Sequence, residues 1–217
     1  MGNRIAILQA NLGSFDETVD PVEQTIPTTF HRWTDENFPP IAGLTPRLQY
    51  RIPKTHGWQM FPGYDYYIWL DGAYSFTEPN CAEWWVNQLG DNDIALFAHP
   101  NRKTIKQEVE HIEEHLKAGK PYITDRYKGG LHREQYDEIM ENGLYPDKKL
   151  YASTAFIYRN SPKTQVLLKD WWNWGSRYFT CDQVVLPWLF WLNVTKVKTL
   201  KGGVDNCDFI QRVSHHK

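Results

Sequence analysis

Hydrophobic residues in this 217-residue chain form short continuous runs separated by segments with helical spacing. Runs of four to eight apolar residues are typical of strands buried on both faces of a sheet. The central run, Tyr66–Leu70, is aromatic and ends abruptly at Asp71-Gly72. The pattern predicts strands at Arg4–Gln9, Thr28–Trp33, Tyr66–Leu70, Ile94–His99, Leu150–Tyr158 and Val194–Leu200.

Apolar residues spaced three and four apart predict the helices. The clearest is Thr104–Ala118, where Thr104 supplies the N-cap and Gly119 ends the helix. Since strands alternate with helices and no repeat or linker is visible, the chain is expected to form one α/β domain over residues 1–217. The predicted helices are Glu78–Leu89, Thr104–Ala118, His132–Asn142, a helix starting at Ser161-Pro162 and continuing to Gly175, and Thr180–Asn193.

The segment from Pro39 to Pro62 is spaced by prolines, and no regular element is predicted there. It carries three cations, Arg47, Arg51 and Lys54. Each of them is free to face a phosphate or simply water, and water is the simpler interpretation for any single one.

Composition excludes several classes of protein. Hydrophobic residues make up 41% of the chain and the net charge is -2, which is typical of an ordinary soluble protein. A sequence-independent nucleic-acid or anionic-membrane binder would need a basic surface, and no apolar run approaches membrane-spanning length. We therefore expect no nucleic-acid partner and no membrane insertion.

The three cysteines lack any metal-type spacing, so free thiols in a reducing, cytoplasmic compartment are expected. The ten Trp and twelve Tyr have two interpretations. They are either aromatic core or platforms that stack on sugar rings or bases, and the sequence leaves both open.

Candidate chemistry is found where predicted strands end. Asp71 directly follows the buried run, and open α/β sheets bind ligands at the carboxyl ends of their strands. Asp-Gly is also a common turn dipeptide. Four stretches are expected to meet at this edge: the loop Ala10–Asp16, Asp71-Gly72, Asp182-Gln183 and His215-His216. A carboxylate with an imidazole can hold Mn²⁺ or Mg²⁺ beside a diphosphate, although Asp182 is equally suited to capping a helix.

The triplet Asp91-Asn92-Asp93 is rejected as a metal site. It precedes the strand Ile94–His99, so a parallel sheet would place it at the edge opposite the ligand. Phosphate-loop, dinucleotide-binding and serine-hydrolase motifs are absent from the sequence.

Several of these pieces, in this order, resemble GT-A fold nucleotide-sugar glycosyltransferases. The resemblance is greatest to small domains of this kind, including the N-terminal glycosyltransferase domain of a large chlorella-virus protein that builds capsid glycans. The pieces span most of the chain, which would then be one module of a longer polypeptide. They are Ala10–Asp16, Phe61–Asp65 with Trp69–Gly72, His99–Arg102 and Asp182-Gln183.

The resemblance implies a GT-A fold with a single Rossmann-like mixed sheet flanked by helices, and it implies roles for particular residues. Asp71, with Gly72, would stand at the metal and nucleotide site, and His215 or His216 would be the C-terminal metal ligand. Lys54 would approach the diphosphate or donor sugar. Asp182 and Gln183 would lie beside the reactive carbon. Ala10, Asn11 and Leu12 would line the nucleoside pocket, with Asp35 near the base or ribose.

The implied reaction moves a hexose, or a deoxyhexose such as rhamnose, from a UDP-sugar to a glycan or glycoprotein acceptor such as a viral capsid glycan, with Mn²⁺ or Mg²⁺. The Asp-Gln pair resembles that of retaining enzymes; in an inverting enzyme, Asp182 would be the general base. The usual second carboxylate of an Asp-x-Asp motif is missing, because position 73 is Ala. A carbohydrate-binding module, an inactive relative and a two-carboxylate glycoside hydrolase remain alternatives.

Overall fold

The computed structural model describes residues 2–141 and 143–213. Within them the chain forms a six-stranded sheet, a two-stranded sheet and helices on both faces of the larger sheet. The elements in chain order are β1 (Ile5–Asn11), β2 (Thr28–Thr34), α1 (Pro46–Met60), β3 (Tyr66–Asp71), β4 (Tyr74–Phe76), α2 (Cys81–Leu89), β5 (Ile94–Ala98), α3 (Ile105–Lys117), α4 (Pro121–Tyr127), α5 (His132–Glu141), β6 (Tyr151–Arg159), α6 (Pro162–Tyr178), α7 (Asp182–Leu192), β7 (Val197–Leu200), a 3₁₀ turn (Val204–Asn206) and β8 (Ile210–Arg212).

The large sheet has the strand order β2-β1-β3-β6-β5-β7. β6 is antiparallel to β3 and β5, whereas the other pairings are parallel. The carboxyl ends of β1, β3 and β5 therefore meet at one edge. The predicted fold class, an α/β protein with a single mixed sheet flanked by helices, is confirmed.

The two faces of the sheet carry separate cores, and β3 shows why. Tyr67 and Trp69 point to one face, where they pack with residues of α3, α5, α6 and α7. Ile68 and Leu70 point to the other face, towards α2 and the small β4-β8 sheet. Because side chains alternate along a strand, Asp71 lies on the Trp69 face, with the larger group of helices.

The predicted strands and helices are present, with ends shifted by a few residues; α2, α7 and β7 are each three residues shorter than predicted. The prediction was wrong for the proline-spaced segment, which contains the 15-residue helix α1. Pro46 occupies the first turn, where a missing N–H has no cost, and the Thr45 side chain accepts a hydrogen bond from Leu48 N. Only Pro53 lies inside the helix, and packing against β1 outweighs its lost hydrogen bond.

Shorter elements were also missed. Neither α4, which begins at Pro121, nor the small β4-β8 sheet was predicted. Most of the aromatic residues serve the core: Trp69, Trp85 and Trp171 are each at most 1% exposed. None of the helices in the described part of the chain is long and apolar enough to cross a membrane. The three cysteines are free thiols, as expected.

The contact of α1 with β1 leads to a stability prediction. A Cβ at Gly57 would lie 2.4 Å from Leu8 Cδ1 in the core. Gly→Ala inside an open helix stabilises by about 1 kcal/mol. Here overpacking should outweigh that gain, so we expect Gly57→Ala to lower the free energy of unfolding by about 1–3 kcal/mol in urea titrations.

The double variant Leu8→Ala/Gly57→Ala provides the control. Because the shorter side chain removes the clash, the two substitutions together should cost less than the sum of their separate effects. A higher urea midpoint for Gly57→Ala alone would show that α1 does not pack on β1 as described.

Candidate active site

Asp71, the last residue of β3, is the first residue of the candidate site. Trp69 lies two residues earlier on the same face, so its Nε1 donates a hydrogen bond of 2.7 Å to Asp71 Oδ1. The Asp71 side chain is 28% exposed. Among the described residues no donor contacts Oδ2. One carboxylate oxygen is thus fixed and the other is available to a ligand.

The Lys54 ammonium, supplied by α1, joins Asp71 to α7. It donates to Asp71 Oδ1 at 3.2 Å and to Asp182 Oδ2 at 3.0 Å. Tyr50 Oη and Ser153 Oγ complete its surroundings at 3.1 and 3.4 Å. Since the Lys54 side chain is only 1% exposed, it lies behind the Asp71 carboxylate rather than on the surface of the cleft.

Asp182 is the first residue of α7 and is almost fully buried. Its Oδ1 accepts a hydrogen bond from Trp171 Nε1 at 3.1 Å and lies 3.4 Å from Arg51 Nε, while Ser153 donates to Oδ2 at 3.1 Å. Burial alone would raise the pKa of Asp182, but the Lys54 and Arg51 charges hold it well below its usual range. Asp182 is therefore a permanent carboxylate and a weak proton acceptor.

The environment of Asp71 has the opposite effect. Burial raises the pKa of Asp71 above its ordinary value, although Lys54 and the Trp69 N–H favour the charged form. Burial also raises the pKa of Tyr50 to about 12, so its hydroxyl stays neutral. The site thus holds two carboxylates with different proton affinities around one shared cation.

The loop after β1 is fixed by side chains named in the sequence analysis. Asn11 Nδ2 donates to Asp16 O at 2.8 Å, and Asp16 N donates to Asn11 Oδ1 at 3.1 Å. The Asp35 carboxylate accepts from Gly13 N at 2.9 Å, so Asp35 anchors this loop. Ala10 and Leu12 are buried, at 3% and 6% exposure, which leaves mainly their backbone at the edge of the sheet.

Gly72 brings the end of β3 against this loop. A Cβ at Gly72 would lie 2.9 Å from Ala10 O and 2.9 Å from Asp16 Oδ2. No side chain fits there without displacing backbone. The loop after β1, Asp71-Gly72 and Asp182 are therefore brought together at one edge of the sheet.

The remaining predicted site residues are Gln183, His215 and His216. Gln183 is half-buried in the first turn of α7. His215 and His216 lie outside the described residues. Val213 N donates to Ala73 O at 2.6 Å. Ala73 lies in the β3-β4 connection, two positions after Asp71, so the last described residue is bonded close to Asp71.

A divalent cation fits this site in one respect. Asp71 Oδ2 is an available hard oxygen, the kind of ligand that Mg²⁺ and Mn²⁺ prefer. Across residues 2–141 and 143–213, no three His, Cys, Asp or Glu side chains are grouped to hold a metal. Further ligands would have to come from donor phosphates, water or the histidines beyond Val213.

The triplet Asp91-Asn92-Asp93 lies at the amino end of β5, away from this edge, as expected. The Asp93 carboxylate accepts from Lys163 Nζ and Lys196 N, each at 2.7 Å. These contacts give Asp93 a structural role at the amino end of β5.

Sequence reasoning missed several residues that build the site. Ser153 reaches it from β6, where the register with β5 shifts between Leu96 and Phe97, and such irregularities redirect side chains. Gln9 Nε2 donates to Tyr74 O at 2.7 Å and to Asp71 O at 3.2 Å, which fixes the β3-β4 connection. Because every second side chain of a strand lies on the same face, the sequence could have predicted the contact of Trp69 with Asp71. No local signal predicts the register shift that brings Ser153 to the site.

Comparison with known proteins gives structural matches only. No known family profile matches the chain, and no curated protein matches it in sequence. The chain is similar to the bifunctional glycosyltransferase WbbM in its apo form, with 10% identity and a TM-score of 0.49 over 92% of this chain. It is also similar to apo mouse xyloside xylosyltransferase 1, with 10% identity and a TM-score of 0.44 over 91% of this chain.

The chain spans 39% of the WbbM structure and 85% of the mouse enzyme. Neither match bears on the resemblance to the viral domain, which stays a prediction. Similarity at this level does not identify a family for the chain, so its function has to be argued from the site.

The shared cation leads to a testable prediction. Lys54→Met removes the cation that Asp71 and Asp182 share and leaves Arg51 as the remaining counter-charge of Asp182, so it should lower the free energy of unfolding at neutral pH by about 3–5 kcal/mol. The paired Asp182 stabilises the native state above its unfolded pKa, and this contribution is lost as pH falls through its lowered folded pKa. Urea titrations should therefore show the difference from wild type shrinking below about pH 4, the unfolded pKa of an Asp, where wild-type Asp182 begins to lose its contribution.

Lys163→Met is the matched control. It removes a half-exposed ammonium from its pair with Asp93 and should cost at most about 1 kcal/mol. Equal losses for the two variants would contradict a special role for Lys54.

Proposed function

We propose that this protein is a GT-A type glycosyltransferase that moves a sugar from a UDP-linked donor to a glycan or glycoprotein acceptor. The observation that supports this most directly is the Lys54 bridge between Asp71 at the end of β3 and Asp182 at the start of α7. It places the two predicted carboxylates in one cleft, next to the loop after β1. Hexose or deoxyhexose donors such as UDP-rhamnose remain the candidates, and a viral capsid glycan remains a candidate acceptor.

In this proposal the nucleoside lies against the loop of Ala10, Asn11 and Leu12, whose position Asp35 fixes through Gly13. The diphosphate lies at Asp71-Gly72, where the missing side chain of Gly72 lets the loop after β1 pack against the end of β3. A Mn²⁺ or Mg²⁺ ion would be held by Asp71 Oδ2, with His215 or His216 as a further ligand. When bound, the ion would neutralise charge on the departing diphosphate.

Substituting Asp71 tests the donor site. Asp71→Asn keeps the shape of the side chain but removes its charge. Titration calorimetry with UDP should show that Mn²⁺ strengthens binding to the wild type, and that the variant loses this gain, by at least about tenfold in Kd.

Asp93→Asn at the opposite edge of the sheet is the control and should bind UDP as the wild type does. Metal-independent binding that is equal in wild type and Asp71→Asn would contradict the metal role. A wild type that binds no UDP under either condition would contradict the donor assignment itself.

The contacts of Asp182 favour retention of stereochemistry. A general base works best when its pKa lies near the working pH. Because Lys54 and Arg51 hold the pKa of Asp182 far below that range, it is a poor base for an inverting attack. We propose that Asp182 instead holds the start of α7 through Lys54 and Arg51, so that Gln183 beside it orients the donor sugar near the reactive carbon.

Product stereochemistry provides the measurement. NMR of the initial product should show the anomeric configuration of the donor, and kcat should have no acid limb from Asp182 between about pH 5 and 8. An inverted product whose rate falls as a single carboxyl near neutrality takes up a proton would assign Asp182 as the base instead.

A carbohydrate-binding module is the main alternative, and the aromatic residues do not favour it. Such a module needs exposed rings, whereas the Trp residues mostly fill the cores. A thermal-shift screen of nucleotide sugars separates the two functions, since only a transferase site should be stabilised by UDP.

A further inference from the structure

Helix α1 presents a row of cations to the start of α7. Arg47, Arg51 and Lys54 are spaced by four and three residues, so they share one face of the helix. Lys54 is neutralised by Asp71 and Asp182. Arg51 lies against Asp182 and also donates to Gly175 O at 3.2 Å and to Thr180 O. The row thus contains three cations for two carboxylates.

Arg47 is the cation that lacks a carboxylate. Among the described residues no Asp or Glu pairs with it, and its Nη1 is buried without a hydrogen-bond partner. The guanidinium carbon lies 4.0 Å from the centre of the Tyr127 ring of α4. An aromatic face attracts a cation by about 0.5–2 kcal/mol, and Tyr127 also forms a side-chain hydrogen bond with Arg47. Both contacts are with a neutral group, so the charge of Arg47 is left without an anion.

The position of Arg47 indicates which anion is missing. Pro46, the preceding residue, packs against the loop after β1, because a Cβ at Gly13 would lie 3.4 Å from Pro46 Cβ. On the other side, the charge of Arg47 contributes to the lowered pKa of Asp182. Arg47 thus follows the residue that packs on the loop proposed to hold the nucleoside, and its charge acts on Asp182 at the start of α7.

We propose that Arg47 binds the diphosphate of the nucleotide donor and supplies the fixed positive charge that this group needs. The inference rests on the proposed donor and adds a residue to its site. A guanidinium suits the role because it stays charged and its planar fork matches two phosphate oxygens. Arg47 remains partly exposed, so a ligand can reach it without unfolding the helix.

The experiment compares three probes by titration calorimetry: uridine, UDP and inorganic pyrophosphate. Arg47→Met keeps the length of the side chain and removes its charge. We expect its Kd for UDP to rise by about 10- to 100-fold and pyrophosphate binding to weaken as well, while uridine affinity stays within about twofold. Arg47→Lys should recover part of the UDP affinity, because it restores the charge without the fork.

Arg159→Met is the matched control. Arg159 also stacks on an aromatic ring, at 5.0 Å from the centre of Tyr66, but it lies at the amino end of β3, at the opposite edge of the sheet. Its UDP affinity should equal that of the wild type. An equal loss in both variants would mean that general charge, rather than a contact at Arg47, attracts the nucleotide, and would overturn the proposal.

Thermal stability separates a ligand contact from a structural role. Without ligand, Arg47→Met should keep or raise the melting temperature, because it removes a buried charge whose contact with Tyr127 does not include an anion. A lower melting temperature together with weaker uridine binding would assign Arg47 a structural role and overturn the proposal, as would unchanged UDP affinity. A wild type that binds neither uridine nor UDP would instead refute the proposed donor, and that failure is visible before any variant is made.

Discussion

The ammonium of Lys54, buried between two carboxylates, is the interaction on which the arrangement of this cleft depends. A charge with 1% exposure is tolerable only because Asp71, Asp182, Tyr50 and Ser153 all face it. These four side chains come from β3, α7, α1 and β6. One cation therefore sets the relative positions of four elements, and the cleft is expected to lose its geometry if that charge is removed.

Lys54 contacts both carboxylates, but the remaining contacts of Asp71 and Asp182 differ. Asp182 faces Lys54, Arg51 and two neutral donors, and its charge is fully compensated within the protein. Asp71 shares Lys54 through one oxygen only and keeps the other at the cleft. In the proposed transferase, the inward acid would anchor the site, and the outward acid would be available to a metal ion that neutralises the donor diphosphate.

The sequence was sufficient to predict the sheet, most of the helices and the edge at which Asp71 lies, because buried runs and capping residues are local signals. It was not sufficient for α1. Prolines in and around that segment conceal a helix that forms because it packs against β1, and Lys54 then turned out to be buried rather than solvated. The contact of Ser153 depends on a register shift in β6, and the partners of Arg51 are carbonyls more than a hundred residues away. Long-range pairings of this kind leave no trace in the local pattern.

The hydrogen bond between Val213 N and Ala73 O has a practical consequence. With β8 paired to β4, it attaches the late part of the chain to the connection that follows Asp71. β1 starts at Ile5, at the edge of the sheet away from the cleft. An affinity tag or surface linker placed ahead of Ile5 should therefore leave the cleft undisturbed, whereas an attachment following Val213 would be anchored close to it.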